Sequence, residues 1–160
     1  MRVILQRVSH ATVTVLDEAS GQPDASFTPQ SIGAGYVLLI GLAEGDTAGQ
    51  GEWIARKIAK LRIFDDAGGR MNLSIDDVHG EVLSVSQFTL YGNVRKGNRP
   101  SFVRAMEPAR AEELWHAFDE ALRAQGLTVR EGRFGAHMSV DLVNDGPVTI
   151  VFDSDELGLA

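Results

Sequence analysis

Asn144-Asp145-Gly146-Pro147-Val148-Thr149 lies between two apolar runs, Met138 to Val143 and Val148 to Phe152, each of strand length. The runs read as two strands and the Gly-Pro between them as a turn, because glycine tolerates unusual φ and proline fixes its own. Upstream, Val3 to Val8 and Ala11 to Leu16 alternate apolar and polar residues about a polar break, which predicts a hairpin or one long bent strand. Tyr36 to Gly41 predicts a short buried strand, Val82 to Leu90 another, and Leu127 to Arg130 a third. Two stretches carry helical periodicity. Asp46 caps the first, which runs to about Lys60 with Ile54, Ile58 and Leu61 at i, i+4 and i+7. Pro108 opens the second, with Leu114, Phe118, Ala121 and Leu122 on one face and Gly126 as its stop. Helices and strands do not alternate regularly, so the expectation is an α+β fold with antiparallel or mixed sheets rather than a doubly wound one.

Composition narrows the function classes. At 160 residues, 44% hydrophobic and 23% charged, the chain has the makings of one domain with its own core. It has no cysteine, which removes disulfides, a thiolate nucleophile and zinc-thiolate chemistry. The longest apolar run, Tyr36 to Ile40, is far too short to span a bilayer. Met1-Arg2 leads straight into a strand-like segment without a secretory signal, so a cytoplasmic location is expected. The net charge of −7 argues against a general nucleic-acid binder, and DNA is not an expected partner. Positive charge is nevertheless clustered at Arg95, Lys96, Arg99 and Arg104, a patch suited to the phosphates of an RNA end or, more plainly, a solvated loop.

The familiar catalytic constellations are missing. His10, His79, His116 and His137 lie far apart without metal-ligand spacing, and Asp65 and Asp66 lack the spacing of a calcium loop, so neither metal nor cofactor is expected. There is no GxSxG elbow. What remains is Ser86-Gln87-Phe88-Thr89-Leu90 at the end of a strand. It offers two hydroxyls, an amide and the backbone N–H groups of a departing strand. Such donors suffice to stabilise an oxyanion; the plain alternative is that Phe88 and Leu90 are core and the polar residues fill a sheet edge.

The pair SQFTL and NDGPVT resembles the two signature motifs of the D-aminoacyl-tRNA deacylases. The opening MRVILQRV, Arg62-Ile63-Phe64 leading to Met71-Asn72-Leu73, Gly97-Asn98-Arg99-Pro100-Ser101-Phe102 and Gly132-Arg133-Phe134-Gly135-Ala136 resemble that family too, in its order. The likeness covers residues 1–152 as a single domain; residues 17–30 are longer than the usual hairpin, and residues 153–160 form an added acidic tail. It implies a partly closed barrel with two main helices, paired as a homodimer. It implies hydrolysis of the ester of D-aminoacyl-tRNA, with glycine mischarged on alanine tRNA as a further candidate substrate. Gly146-Pro147 would be a cis peptide reaching into the partner subunit's site, its carbonyls holding the substrate α-amino group. Arg7 would brace that segment, and Asn144 would join it in binding substrate. Backbone groups of Ser86, Gln87 and Phe88, with Thr89 close by, would cradle the ester carbonyl. Phe134 and Met138 would receive the terminal adenosine, whose 2′-hydroxyl would help to activate water. Lys96 and Arg99 would meet tRNA phosphates.

Two alternatives stay open on the residues alone. Thr89 could be the nucleophile of an acyl hydrolase, although no base is identifiable within the motif to activate it. The chain could instead be a non-catalytic module that holds an RNA end.

Overall fold

A computed structural model describes residues 1–159. Its sheet is organised on one long strand, β1 (Arg2–Val15), which is the single bent strand rather than the hairpin. β2 (Gln30–Ile32) and β3 (Gly35–Gly41) follow, then helix α1 (Ala48–Lys60). The small hairpin β4 (Phe64–Asp65) and β5 (Met71–Leu73) turns through Asp66 to Gly69, and β6 (Glu81–Ser86) comes next. A 3₁₀ turn (Phe88–Tyr91), helix α2 (Pro108–Arg123), β7 (Thr128–Glu131) and β8 (Met138–Asp153) complete the chain. The mixed sheet has the order β2-β1-β3-β6-β7, with β8 on the other side of β1. β3, β6 and β7 are parallel, whereas β2, β3 and β8 run antiparallel to β1. The sheet curls so far that Met138 Sδ comes within 2.6 Å of where a Cβ on Gly132 would sit, and the barrel nearly closes.

Period-two alternation divides the interior in two. Val3 and Leu5 of β1 stand opposite Ile40 and Leu38 of β3. Together they meet Ile54 and Ile58 of α1 and Trp115, Phe118 and Leu122 of α2. The barrel side is filled by Val8, Ala11, Val13, Ile32, Val37, Leu83 and Val85. Leu5 and Ala11 have the same parity, so in a regular strand they would face the same way. An extra residue in β1, Ser9, falls between the pairs Val8–Asn144 and His10–Val143 and turns the second half over.

Three expectations need correction. Met138–Val143 and Val148–Phe152 are one strand, because both halves pair with β1 and the Gly-Pro is accommodated as a bulge instead of a turn. The segment Val82–Leu90 leaves the sheet after Ser86 and closes into the 3₁₀ turn. Asp46 does not cap α1: Thr47 is the N-cap and its N–H donates to Gln50 Oε1 at 2.9 Å. The Asp46 carboxylate instead takes the N-terminal ammonium and the Ala43 N–H. α2 begins where Pro108 predicts, with Glu107 accepting from the N–H groups of Ala109 and Arg110. The acidic segment from Asp153 onward lies against the start of the chain. Ser154 N–H donates to Met1 O at 2.8 Å and Asp153 pairs with Arg2 at 2.6 Å; Ala160 lies outside the described residues.

Candidate active site

The strand-to-turn junction after β6 forms one wall of a cavity of about 590 Å³. Ser86 is the last ladder residue, opposite Ile40. Gln87 N–H still donates to Ile40 O at 2.7 Å, after which Leu90 N–H bonds back to Gln87 O at 3.2 Å and the chain winds up. Phe88 and Thr89 therefore stand in the first turn of a short helix, where backbone N–H groups have no carbonyl of that helix to meet. The turn lies close to the end of β3: a Cβ on Gly41 would be 3.1 Å from Gln87 O and 3.0 Å from Leu90 Cβ.

Ser86, Gln87 and Phe88 line the cavity together with Phe134 and Met138. Thr89 is exposed beside it, its hydroxyl bonded by the Gln87 side-chain amide. Phe88 is 57% exposed and meets Phe102 edge-on, with ring centroids 5.0 Å apart. Phe102, Met106, His137 and Val140 also line the space and were not singled out from the sequence. Phe102 lies within GNRPSF, so its motif was visible while its role as a wall was not.

The Phe134 wall of the cavity is braced by α2 and β6. Phe134 leans on Trp115, centroids 5.9 Å apart, and the Trp115 indole N–H donates to Ser84 Oγ at 2.8 Å. Next to this pair Asp119 is fully buried, and its carboxylate oxygens have no hydrogen-bond partner among the described residues. Burial pushes its carboxyl up to about 8, with neighbouring Ser84 drawing it part of the way back. Arg133 anchors the same loop from outside. It pairs with Asp24 at 2.7 Å, donates to Ser26 O at 3.1 Å and lies 5.2 Å from the Phe27 ring, so residues 24–27 pack against the wall.

The second motif lies elsewhere on the chain. Val8 pairs with Asn144 and Gln6 with Thr149, so residues 145–148 stand opposite Arg7 alone and are pushed out of the ladder. Asn144, Asp145, Gly146 and Pro147 are exposed, and the Gly146–Pro147 bond is cis. None of them lines the cavity. Arg7 is buried below them: its Nε donates to Asp145 O at 3.0 Å and its Nη1 to Ile63 O at 2.5 Å. Lys96 and Arg99 lie on the exposed hairpin between the bridged residues Asn93 and Ser101, also outside the cavity.

The chain is thus a mixed, nearly closed barrel whose cavity ends on the strand-to-turn junction after β6. Residues 4–153 match the family model described as D-Tyr-tRNA(Tyr) deacylase. The D-aminoacyl-tRNA deacylase of Bifidobacterium adolescentis is 64% identical over 159 residues, covering 99% of this chain and 100% of the relative. That of a Geobacillus species is 53% identical over 156 residues, covering 98% and 97%. Among solved structures, one named c-Myc DNA unwinding element binding protein superposes with a TM-score of 0.81 at 40% identity, over 96% of this chain and 99% of its own. A probable eukaryotic D-amino acid tRNA deacylase shares the fold, with a TM-score of 0.78 at 18% identity, over 94% and 97%. The chain belongs to the D-Tyr-tRNA(Tyr) deacylase family, a family of hydrolases.

Proposed function

We propose that this protein hydrolyses the ester of D-aminoacyl-tRNA, releasing the D-amino acid and free tRNA. The observation that carries the reading is the match of the family model over residues 4–153, which takes in both the cavity-lining SQF segment and the exposed Gly146-Pro147 bulge. The apolar space between Phe134 and Met138 receives the terminal adenosine. Backbone groups of Ser86, Gln87 and Phe88 hold the ester carbonyl and the oxyanion that forms from it, and each well-aimed donor is worth about 10²–10³ in rate. Thr89 orders the Gln87 amide. That bond favours a supporting role over a nucleophilic one, since an amide is no base. Water attacks with help from the 2′-hydroxyl of the substrate. Lys96 and Arg99 meet phosphates near the acceptor end, and the reaction takes place in the cytoplasm.

The site needs a second copy of the chain. In one subunit Gly146 and Pro147 are exposed and outside the cavity, so we assign them to the cavity across a twofold interface. The carbonyl oxygens of Gly146 and Pro147 of the partner subunit then hold the α-amino group, Asn144 supports them, and Arg7 braces them from below. The half-exposed apolar residues Val143 and Val151 on β8, flanking this segment, supply surface for such a contact. Incubating the purified protein with D-tyrosyl-tRNA should release free D-tyrosine; an ester that survives would overturn the reading. Sedimentation at assay concentration should give twice the chain mass, and a fully active monomer would remove the shared site.

A further inference from the structure

A second concave surface meets the far end of the 3₁₀ turn, at Tyr91, whereas Phe88 at its near end lines the cavity. It encloses about 510 Å³ and is lined by Arg2, Tyr91, Gly92, Asn93, Val94, Arg95 and Arg104. Apart from the Tyr91 phenol, every ionisable group lining it is an arginine. That is unusual in a chain of net charge −7. From Val82 to Met106 there is no acidic residue at all, while Arg95, Lys96, Arg99 and Arg104 fall within that stretch. Two of the guanidinium groups are set against one aromatic ring: Arg2 lies 5.0 Å and Arg104 5.5 Å from the Tyr91 ring centroid. Arg2 is further fixed by Leu90 O at 2.8 Å and by Asp153 at 2.6 Å, and Arg104 pairs with the exposed Asp155 at 3.4 Å. Arg95 has no ion-pair partner among the described residues, and its N–H is held by Asn93 Oδ1 at 3.0 Å in a tight local turn.

We infer that this groove is a phosphodiester-binding subsite for the single-stranded 3′ end of the RNA substrate. The inference rests on the deacylase reading and extends it to residues beyond Lys96 and Arg99. Guanidinium groups present planar pairs of N–H donors that match phosphate oxygens, and contact with the Tyr91 ring restricts two of them before the ligand arrives. The turn that separates groove from cavity is four residues long, which spans about 8 Å at the 3₁₀ rise. A strand whose terminal adenosine fills the cavity thus has the groove within reach of its next nucleotides. Asp153 and Asp155 neutralise Arg2 and Arg104 when the groove is empty and keep a basic surface tolerable in an acidic protein. Arg95 supplies the unpaired charge.

The test compares two substrates with the same ester. D-tyrosyl-tRNA carries the phosphates, whereas D-tyrosyl-adenosine carries none. For the combined change Arg95→Ala and Arg104→Ala, the ratio of kcat/KM on D-tyrosyl-tRNA to that on D-tyrosyl-adenosine should fall about tenfold or more in dilute salt. The slope of log Kd against log salt should flatten by about 0.7 for each phosphate that is no longer neutralised, the single-strand value. A ratio and slope equal to those of the unchanged protein would overturn the inference, and so would an equal loss on both substrates. A second measurement needs no variant. The unchanged protein should bind the 5′-phosphorylated trinucleotide CCA more tightly than adenosine, with an advantage that shrinks as salt rises; equal affinities would also overturn the groove. If the unchanged protein hydrolyses neither ester, the deacylase reading fails, and the trinucleotide comparison still decides the groove.

Discussion

Arg7 Nε donates to the carbonyl oxygen of Asp145 at 3.0 Å from a position only 3% exposed, so a buried guanidinium holds the base of the exposed bulge. The same fork reaches Ile63 O at 2.5 Å, and the carboxylates of Asp145 and Asp65 lie 3.3 and 3.6 Å away. A charge in this position is tolerable because its donors are met by carbonyls and its charge by two acids. The arrangement also fixes where the bulge sits on the surface.

Arg7→Lys should therefore leave a folded protein that works poorly. Lysine keeps the charge and loses the fork, so it cannot satisfy Asp145 O and Ile63 O together. Losing a hydrogen bond to a charged group costs about 1.5–3 kcal/mol, which corresponds to a fall in kcat/KM on D-tyrosyl-tRNA of roughly 10- to 100-fold. Activity and melting temperature measured side by side check this. Full activity in the lysine variant would show that the bulge does not depend on the fork.

Thr89→Ala should retain much of the activity, because the hydroxyl is bonded to the Gln87 amide and exposed beside the cavity rather than lining it. Deleting a true nucleophile costs about 10⁴-fold or more. Single-turnover deacylation separates the two cases, and trapping an acylated Thr89 would decide for the nucleophile.

Asp119 predicts a stability trend opposite to that of most carboxylates. Burial raises its folded value to about 8, so the folded state holds the proton that the unfolded chain releases near the ordinary carboxylate value. The favourable contribution is fully present below about pH 4 and is lost as pH rises toward 8, at a limiting slope of about 1.4 kcal/mol per pH unit. Asp119→Asn removes the titration. The gap in unfolding free energy between variant and unchanged protein should widen in favour of asparagine between pH 5 and pH 7.5. Urea unfolding at the two pH values measures it, and parallel curves would mean that the carboxylate finds a partner in solution.

Much of the frame was legible because it depends on local pattern. Alternation marked β1, an unbroken apolar run marked β3, the spacing of Ile54 and Ile58 marked α1, and Pro108 marked the start of α2. The two misread strand segments share a cause: pairing partners are not encoded locally. Gly146-Pro147 breaks the apolar alternation whether the flanking runs turn back on each other or continue along one partner, and only the register with β1 distinguishes a turn from a bulge. Leu90 continues the alternation past Ser86, although the chain has already left the sheet. The Trp115–Ser84–Asp119 cluster was invisible because nothing in the spacing of a helix announces a buried carboxylate. The SQF segment and Phe134 were found through motif likeness, and the fold brings them to one cavity.

The last prediction concerns chirality, and it follows from gripping a substrate with backbone. At Gly146 φ is +130°, and a Cβ there would lie 2.9 Å from Val148 N and 2.8 Å from Val148 Cγ2. Only glycine fits without moving the chain, so Gly146→Ala should displace the carbonyls proposed to hold the α-amino group and reduce activity. Once main-chain atoms hold both the amino group and the ester carbonyl, two of the four substituents on the substrate Cα are placed. The remaining two, hydrogen and side chain, exchange places between D and L. If the partner subunit's Gly146 and Pro147 crowd the L position, any L side chain meets backbone that cannot rotate away, whereas a D side chain points into open space. Glycine has no side chain to clash. We therefore expect broad tolerance of D side chains, near-complete rejection of L-aminoacyl-tRNA and measurable activity on glycyl-tRNA. Because the obstacle is backbone, truncating Phe134 or Met138 should lower activity on every substrate without creating L activity. Matched D-, L- and glycyl-tRNA assays on the unchanged and truncated proteins test this together, and comparable rates on D- and L-tyrosyl-tRNA would defeat it.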